Sequence, residues 1–495
     1  MCLARRRAFN WPLLGALCLS SLSALSAPLE NTVGPVAAKA AVTGSGVRTA
    51  LAGWAEVEIT PPLGLPMGGR GPTDVVGTKV LDPLCAQVLY LRDTHGAGFA
   101  LVSFDLVHLP HDLSDRVRLN IVHELGVDWD LVVLNASHTH SGPQTIHTLL
   151  AGQGPLPKNQ ADYFDAVADK LTSATRAAAK NLRPVKIEVF AGKSQVGINR
   201  RGRNANGAPS MKPNPNGPIA EQVWVLKLTP VGGGAPAVVF SYGCHPVLVY
   251  GYVASAISAD YPGVARQALR EKLGAAHAQF VQGTAGDVRP RIVADIPANR
   301  FRTPELADVK ETGERLAKDV MAALSGKGHE LDLHLGGTMD RPFIARGEPP
   351  PRQVYEQMLK NGGREGLEAV AKYWLERYDT GIGFSKGDPW PVGCIRLAND
   401  QWICYFAGEP CAEWGPEVAA WLAPRKVVLW GYCQEGLTYL PTDEMLPEGG
   451  YEVLGANRAR ASSPAPIAKG VKAAVHRSLQ RQVELVEGRY VPASP

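Results

Sequence analysis

Leu131-Val132-Val133-Leu134-Asn135-Ala136-Ser137-His138-Thr139-His140-Ser141-Gly142-Pro143 is the stretch that decides how the chain is read. Its four leading apolar residues suit a buried strand. Ser141-Gly142-Pro143 ends that strand with breaker residues. In extended backbone, residues two apart project to the same side. The pattern therefore sends His138 and His140 out together from a strand end, with Thr139 turned away. Open α/β folds place their chemistry at the carboxyl ends of strands. Neutral imidazoles ligate zinc, but a catalytic zinc needs further protein ligands and a water. A single His-x-His also fits ordinary polar loop histidines. The remaining ligands have to come from elsewhere in the chain.

The 495 residues are 45% hydrophobic and 20% charged, a composition able to bury one or two large cores. The 52 glycines and 39 prolines imply many turns and loops. Of the formal net charge of +4, Arg5, Arg6 and Arg7 supply three, which leaves about +1 for the rest. No basic patch points to nucleic acid. Those arginines precede an apolar run from Trp11 to Leu25 and a small-x-small site at Ala24-Leu25-Ser26. Residues 1–26 therefore read as a signal peptide, and residues 27–50 as a flexible leader. The apolar run is too short and too broken by Ser to span a membrane. Arg6-Arg7-Ala8-Phe9 also resembles a twin-arginine signal, so either export route is open. Cys18 lacks the preceding small residue of a lipoprotein signal. The expectation is an exported protein, periplasmic or secreted, without a stable membrane anchor.

Beyond the signal lie Cys85, Cys244, Cys394, Cys404, Cys411 and Cys433, with no CxxC pair, which argues against a structural zinc site. An exported chain can pair them, but buried free thiols are an equal reading in a protein of this size.

Taken in order, Trp54–Thr60, Leu84–Arg92 and Phe99–Leu106 read as strands, the last two joined by a turn around His95-Gly96-Ala97-Gly98. Ser114–Leu125 has helical periodicity with a Ser cap and Gly126 after its end. A helix over Gln160–Lys180 follows the Leu131 strand. Lys186–Phe190, Gln222–Thr229 and Ala237–Ser241 are strands. Asp260 is placed to cap a helix running to Leu273. Pro304–Leu324 and Arg352–Arg377 read as helices, the second interrupted at Gly362-Gly363, and Cys394–Leu397 with Gln401–Phe406 as a hairpin. Neither an internal repeat nor a linker between domains is visible. The strand–helix–strand rhythm predicts an α/β fold, a single large domain of β-sheets flanked by helices.

Three more strand ends deliver polar residues. Ala237–Ser241 leads to Gly243-Cys244-His245-Pro246, Gln279–Gln282 to Gly283-Thr284-Ala285-Gly286-Asp287-Val288-Arg289, and Gln401–Phe406 to Ala407-Gly408-Glu409. A lone His at a strand end is more often structural than a ligand, but His245 repeats the pattern of His138.

Taken together these segments resemble the neutral/alkaline, non-lysosomal ceramidases. His138-Thr139-His140-Ser141-Gly142-Pro143 is similar to that family's Thr-His-Thr-His-Ser-Gly-Pro signature, and Ile198-Asn199-Arg200 to its Ile-Asn-Arg segment. His245-Pro246 falls at its next histidine, Gly286-Asp287-Val288 at its Gly-Asp-Val, and Gly408-Glu409 at its Gly-Glu. Tyr439, followed by Tyr451-Glu452, reproduces its tyrosine spacing. The six motifs keep the family's order between about residues 50 and 460. The resemblance implies a catalytic domain over residues 51–490. It implies Zn2+ held by His138, His245, Glu409 and Tyr439. His140 would then act as general acid/base, and Arg200 and Tyr451 would hold the amide carbonyl and its developing oxyanion. Such a donor is typically worth about 3 kcal/mol of barrier.

Three departures matter. The family's Gly-Asp-Val continues with a serine, where this chain has Arg289. Pro410 replaces an aromatic residue. The family's C-terminal immunoglobulin-like domain is not expected here, because too few residues follow Tyr451-Glu452 for a sandwich. Asp287 and Arg289 are the expected substrate-binding residues. Arg289 either pairs with an anionic group on the substrate or belongs to a surface salt bridge. The leading expectation is a zinc-dependent amide hydrolase, ceramidase-like, acting on a small-molecule or lipid amide through zinc-activated water. A zinc esterase or amidase for an anionic, non-ceramide substrate is the second reading, and a non-catalytic lipid-binding relative the third. The sequence sets no oligomeric state.

Overall fold

A computed structural model describes residues 49–69, 75–145, 157–361, 367–458 and 463–489. The expected signal peptide lies outside the described residues, as does Gly362-Gly363, where the helix over Arg352–Arg377 was expected to break. Among the described residues, no helix is long and apolar enough to cross a membrane.

Leu51–Glu58 (β1) pairs antiparallel with Cys85–Arg92 (β2), and β2 with Gly98–Phe104 (β3). His111–Leu125 (α1) then crosses over to Val132–Ala136 (β4), which lies parallel to β3. Lys158–Lys180 (α2) returns along the back of β1. The chain now repeats itself. Arg183–Lys193 (β5), Gln222–Pro230 (β6) and Ala237–Tyr242 (β7) are antiparallel neighbours. Asp260–Leu273 (α3) crosses to His277–Gln282 (β8), parallel to β7. Leu306–Leu324 (α4) packs behind β5. The two halves join through β1 and β5, Leu51 opposite Pro184, into one sheet ordered β8-β7-β6-β5-β1-β2-β3-β4. Each half has a glycine in its first strand beneath its last helix. A Cβ on Gly53 would stand 1.9 Å from the Ala178 carbonyl of α2, and one on Gly192 2.8 Å from Ala323 of α4. These two close approaches require glycine.

The sheet folds back on itself. Trp54, Leu89, Leu101 and Val133 of the first half share one core with Trp224, Leu226, Val239 and Val281 of the second. The opposite faces pack under α1 and α2 and under α3 and α4. Strands covered on both faces read as unbroken apolar runs, which is why β3 is buried throughout. Gly336–Asp340 (β9), Val392–Arg396 (β10), Gln401–Phe406 (β11) and Lys426–Trp430 (β12) form a second sheet against the same core. Arg352–Lys360 (α5) and Leu367–Thr380 (α6) form a satellite cluster, while Trp414–Leu422 (α7) and Val471–Val486 (α8) cover the far face of the second sheet. The mixed α/β fold with flanking helices is the expected one.

Some local expectations change. Helix α1 starts at His111 behind Pro110, and Ser114 is buried within its first turn instead of capping it. Asp260 opens α3 in left-handed backbone, at φ 58°, and its carboxylate accepts from the Tyr261 amide at 2.6 Å and also from the amides of Leu248 and Val249, both at 2.9 Å. The repeat of the two halves is invisible in the residues. The six cysteines are free thiols, with Cys394 and Cys404 facing each other across β10 and β11 at 3.4 Å between sulfurs.

One buried ion pair ties the halves together. Arg266 of α3 donates twice to Asp105, just beyond β3, at 2.8 and 2.5 Å. Asp105 also accepts from the Cys85 amide. Arg266→Met leaves a buried carboxylate short of its cation and should cost about 3–5 kcal/mol in urea unfolding. The double replacement Asp105→Leu/Arg266→Met should recover most of that loss.

Candidate metal centre

Four strand exits converge. His108 follows β3, His138 follows β4, and His245 follows β7. Glu409 follows β11, in a two-residue parallel pairing with Tyr439. The chain does not stay extended through His138-Thr139-His140. It leaves β4 at Ala136, and His138 sits at φ 69°. The two imidazoles still meet, Nε2 to Nε2 at 3.1 Å. Thr139 turns away and donates to the Ser258 carbonyl.

Two carboxamides bring the exits together. The Asn135 side chain pairs with the Gln282 backbone, accepting from its amide at 2.9 Å and donating to its carbonyl at 3.2 Å. The Gln282 side chain donates to the carbonyls of Ser137 and Cys244, at 2.8 and 2.9 Å. It thereby clamps the residues that precede His138 and His245.

Each histidine is oriented by its other nitrogen. Nδ1 of His138 lies 2.7 Å from the Val107 carbonyl, and Nδ1 of His245 2.7 Å from that of Ala285. A carbonyl only accepts, so these nitrogens carry the hydrogens and leave Nε2 as a lone pair. Both Nε2 atoms face Glu409 Oε2, at 3.4 and 3.3 Å. His108 Nε2 faces Oε1 at 3.4 Å. Burial, then the Arg200 charge, pulls His245 down to about 3, and burial holds His140 well below its usual value. Burial pushes the Glu409 carboxyl up, but His138, His108 and His245 outweigh it and hold it well below the usual carboxylate range. Neutral lone pairs thus converge on a carboxylate oxygen that has no hydrogen-bond partner. The Arg200 guanidinium already faces this group, 3.2 Å from His245 Nε2. The nitrogens of His138, His140 and His245 lie within 4.8 Å of one another, as do the ligand atoms of His108, His138 and Glu409. The donor set fits a divalent metal that accepts nitrogen and oxygen.

The other expected residues line one side. Tyr439 stacks on His245 with 6.5 Å between ring centroids, and burial keeps its phenol protonated well above the usual value. Arg200 reaches within 3.2 Å of His245 Nε2, and its guanidinium lies 5.4 and 5.6 Å from the rings of Tyr439 and Tyr451. Its Nη2 has no hydrogen-bond partner. Asp287 is committed inside the protein: its oxygens accept from the Ala412 amide and the Asn199 side chain, both at 2.8 Å. Arg289 stands in the ribbon that pairs Gly197–Asn199 with Val288–Pro290.

Two site residues escaped sequence reading. His108 follows a strand as His138 and His245 do, and that shared signal marks it. Tyr432, at φ 55°, lays its ring 4.4 Å from His138, and no motif marks it. Glu452 stands in the Tyr451-Glu452 motif, but its role shows only in the fold, where it binds Arg200 and Arg201 at 2.9 and 2.8 Å.

Gln282→Met keeps the shape of the side chain but takes the partner from the Ser137 carbonyl and from the Cys244 amide, while the Cys244 carbonyl keeps the Tyr261 hydroxyl. A loss of about 2–4 kcal/mol is expected in denaturant unfolding. Metal affinity should fall with it, read by titration with a chromophoric chelator.

No protein-family model matches the chain. Among solved structures, it superposes on neutral ceramidase from Pseudomonas aeruginosa with a TM-score of 0.68 at 18% identity, covering 90% of this chain and 76% of that one. A ceramidase complexed with C2 aligns with a TM-score of 0.68 at 17% identity, covering 90% and 77%. The chain is thus built on the neutral ceramidase fold.

Proposed function

We propose that the protein is an exported, zinc-dependent hydrolase of linear amide bonds, with an N-acyl lipid of the ceramide type as its substrate class. The observation that carries this reading is the convergence of the His138 and His245 lone pairs on the unpartnered Glu409 oxygen. The ceramidase fold and the export signal read at the N-terminus agree with it.

His138, His245, Glu409 and Tyr439 would hold the zinc. When bound, zinc lowers the pKa of a coordinated water towards neutrality and supplies a nucleophile. The rest is the work of the chain itself. His140 is buried and neutral, so it can take a proton at Nε2 and return it to the leaving amine. Arg200 keeps Nε on Glu452 and Nη1 3.2 Å from His245 Nε2, and its unpartnered Nη2 is the donor left for a carbonyl oxygen as charge develops. Tyr451, 45% exposed beside Tyr439, stands at the mouth of the site and can add a second donor. His108 touches the carboxylate from its other oxygen and orients it.

Metal analysis should find one zinc per chain, lost from His245→Ala and from Glu409→Ala. Chelation should abolish fatty-acid release from a short-chain fluorescent ceramide. His108→Ala should keep the stoichiometry but weaken zinc affinity about 10–100-fold. Full metal content and activity in the His245 and Glu409 variants would overturn the assignment.

A further inference from the structure

Arg289 is the cation this site does not use. It follows Val288, whose carbonyl accepts the His245 amide, so it is one residue from the segment that seats a candidate ligand. Its backbone pairs with Ile198, and its guanidinium carbon lies 4.8 Å from the Phe301 ring centroid. It makes no salt bridge, and its Nε is a buried donor without an acceptor. The carboxylates around it are already committed. Glu452 holds Arg200 and Arg201, Asp287 holds Asn199 and the Ala412 amide, and Asp295 pairs with Arg300. Burial, then the like charge of Arg200, pulls the guanidinium down to about 10, while Tyr250 and Tyr439 offset part of this. Those two tyrosines are the link to the metal centre. Tyr250 lies against His140 with 5.6 Å between ring centroids, and Tyr439 against His245. The surface salt bridge considered for Arg289 is therefore not what the structure shows.

A half-buried guanidinium whose Nε is buried without an acceptor, beside the like charge of Arg200 and with no carboxylate paired to it, is unfavourable for folding alone. The cost is recovered if an anion binds, because charge-assisted hydrogen bonds to a guanidinium are strong and can be bidentate. We propose that Arg289 receives an anionic group carried close to the scissile bond, so that the substrate is an N-acyl compound whose amine part bears a carboxylate or a phosphate. The amine part can hold such a charge without interrupting the hydrocarbon chain. This inference rests on the amide-hydrolase reading and narrows its substrate class away from neutral ceramides.

The test compares three amides with the same chain, N-dodecanoylglycine, N-dodecanoylethanolamine phosphate and the neutral N-dodecanoylethanolamine, on the zinc-loaded full chain. One of the two anionic amides should exceed the neutral one in kcat/KM by about 100-fold, and which one does so separates carboxylate from phosphate. Arg289→Gln should collapse that ratio to within a few-fold, mainly through KM, and Arg289→Lys should retain part of it. No protein carboxylate loses a partner in either variant, so folding is preserved. Equal rates on all three amides, with the ratio unmoved by Arg289→Gln, would overturn the inference and leave the hydrolase reading standing. If no amide is cleaved, the hydrolase reading fails, and calorimetric binding of the two anionic amides still decides on Arg289. Binding of one of them weakened about 100-fold in Arg289→Gln upholds the anion site. Unchanged or absent binding of both overturns it.

Discussion

The centre of this molecule depends on a pair of carboxamides. Asn135 and Gln282 join the two ends of a sheet whose terminal strands are the first and the eighth in order, and the Gln282 side chain fastens the backbones that lead to His138 and His245. Those histidines lie over a hundred residues apart in sequence. Without the clamp, each would belong to a separate half-sheet edge. Buried amide networks of this kind fix geometry because every alternative leaves polar atoms unpaired in a low-dielectric interior. Positioning here is thus achieved by neutral groups, and the charged groups are free to face the site.

The site itself is held in tension. His138 and Tyr432 occupy left-handed backbone conformations, each costing about 1–3 kcal/mol. Three imidazoles surround one carboxylate at distances too long for good hydrogen bonds. Arg200 and Arg201 share Glu452 in the interior. Such an arrangement contributes little to stability, and the large apolar cores around it offset its cost. Its consequence is a set of side chains already in place, which is what the proposed chemistry would need.

Most of the fold was legible because half-buried and fully buried strands leave apolar runs bounded by turn residues. β2, β3 and β7 fall within two residues of where the sequence places them. His138, His245 and Glu409 were legible as polar residues delivered by such runs. Their company was not. His108 looks like any histidine after an apolar stretch until Glu409, three hundred residues later, is set beside it. Asp287 looks like a site carboxylate, and only the fold shows its oxygens committed to Asn199 and Ala412. The doubling of the architecture is carried by strand pairing and not by residue identity, so no sequence period reveals it. Gly53 and Gly192 are its one local trace, equivalent glycines under equivalent helices.

That doubling also bears on how the chain reaches its native state. Each half makes its own strand pairs between near neighbours in sequence, and the halves share just the short ladder of Leu51 and Ala52 with Pro184 and Arg183. Near-neighbour contacts close at low entropic cost, and distant ones at a higher cost. The order of assembly that follows is two half-sheets first, then their closure through Asn135 and Gln282, then docking of the segment that carries Glu409. The ligand set is complete only at the last step. Any ion taken up by this candidate ligand set would therefore secure the finished molecule and not nucleate it.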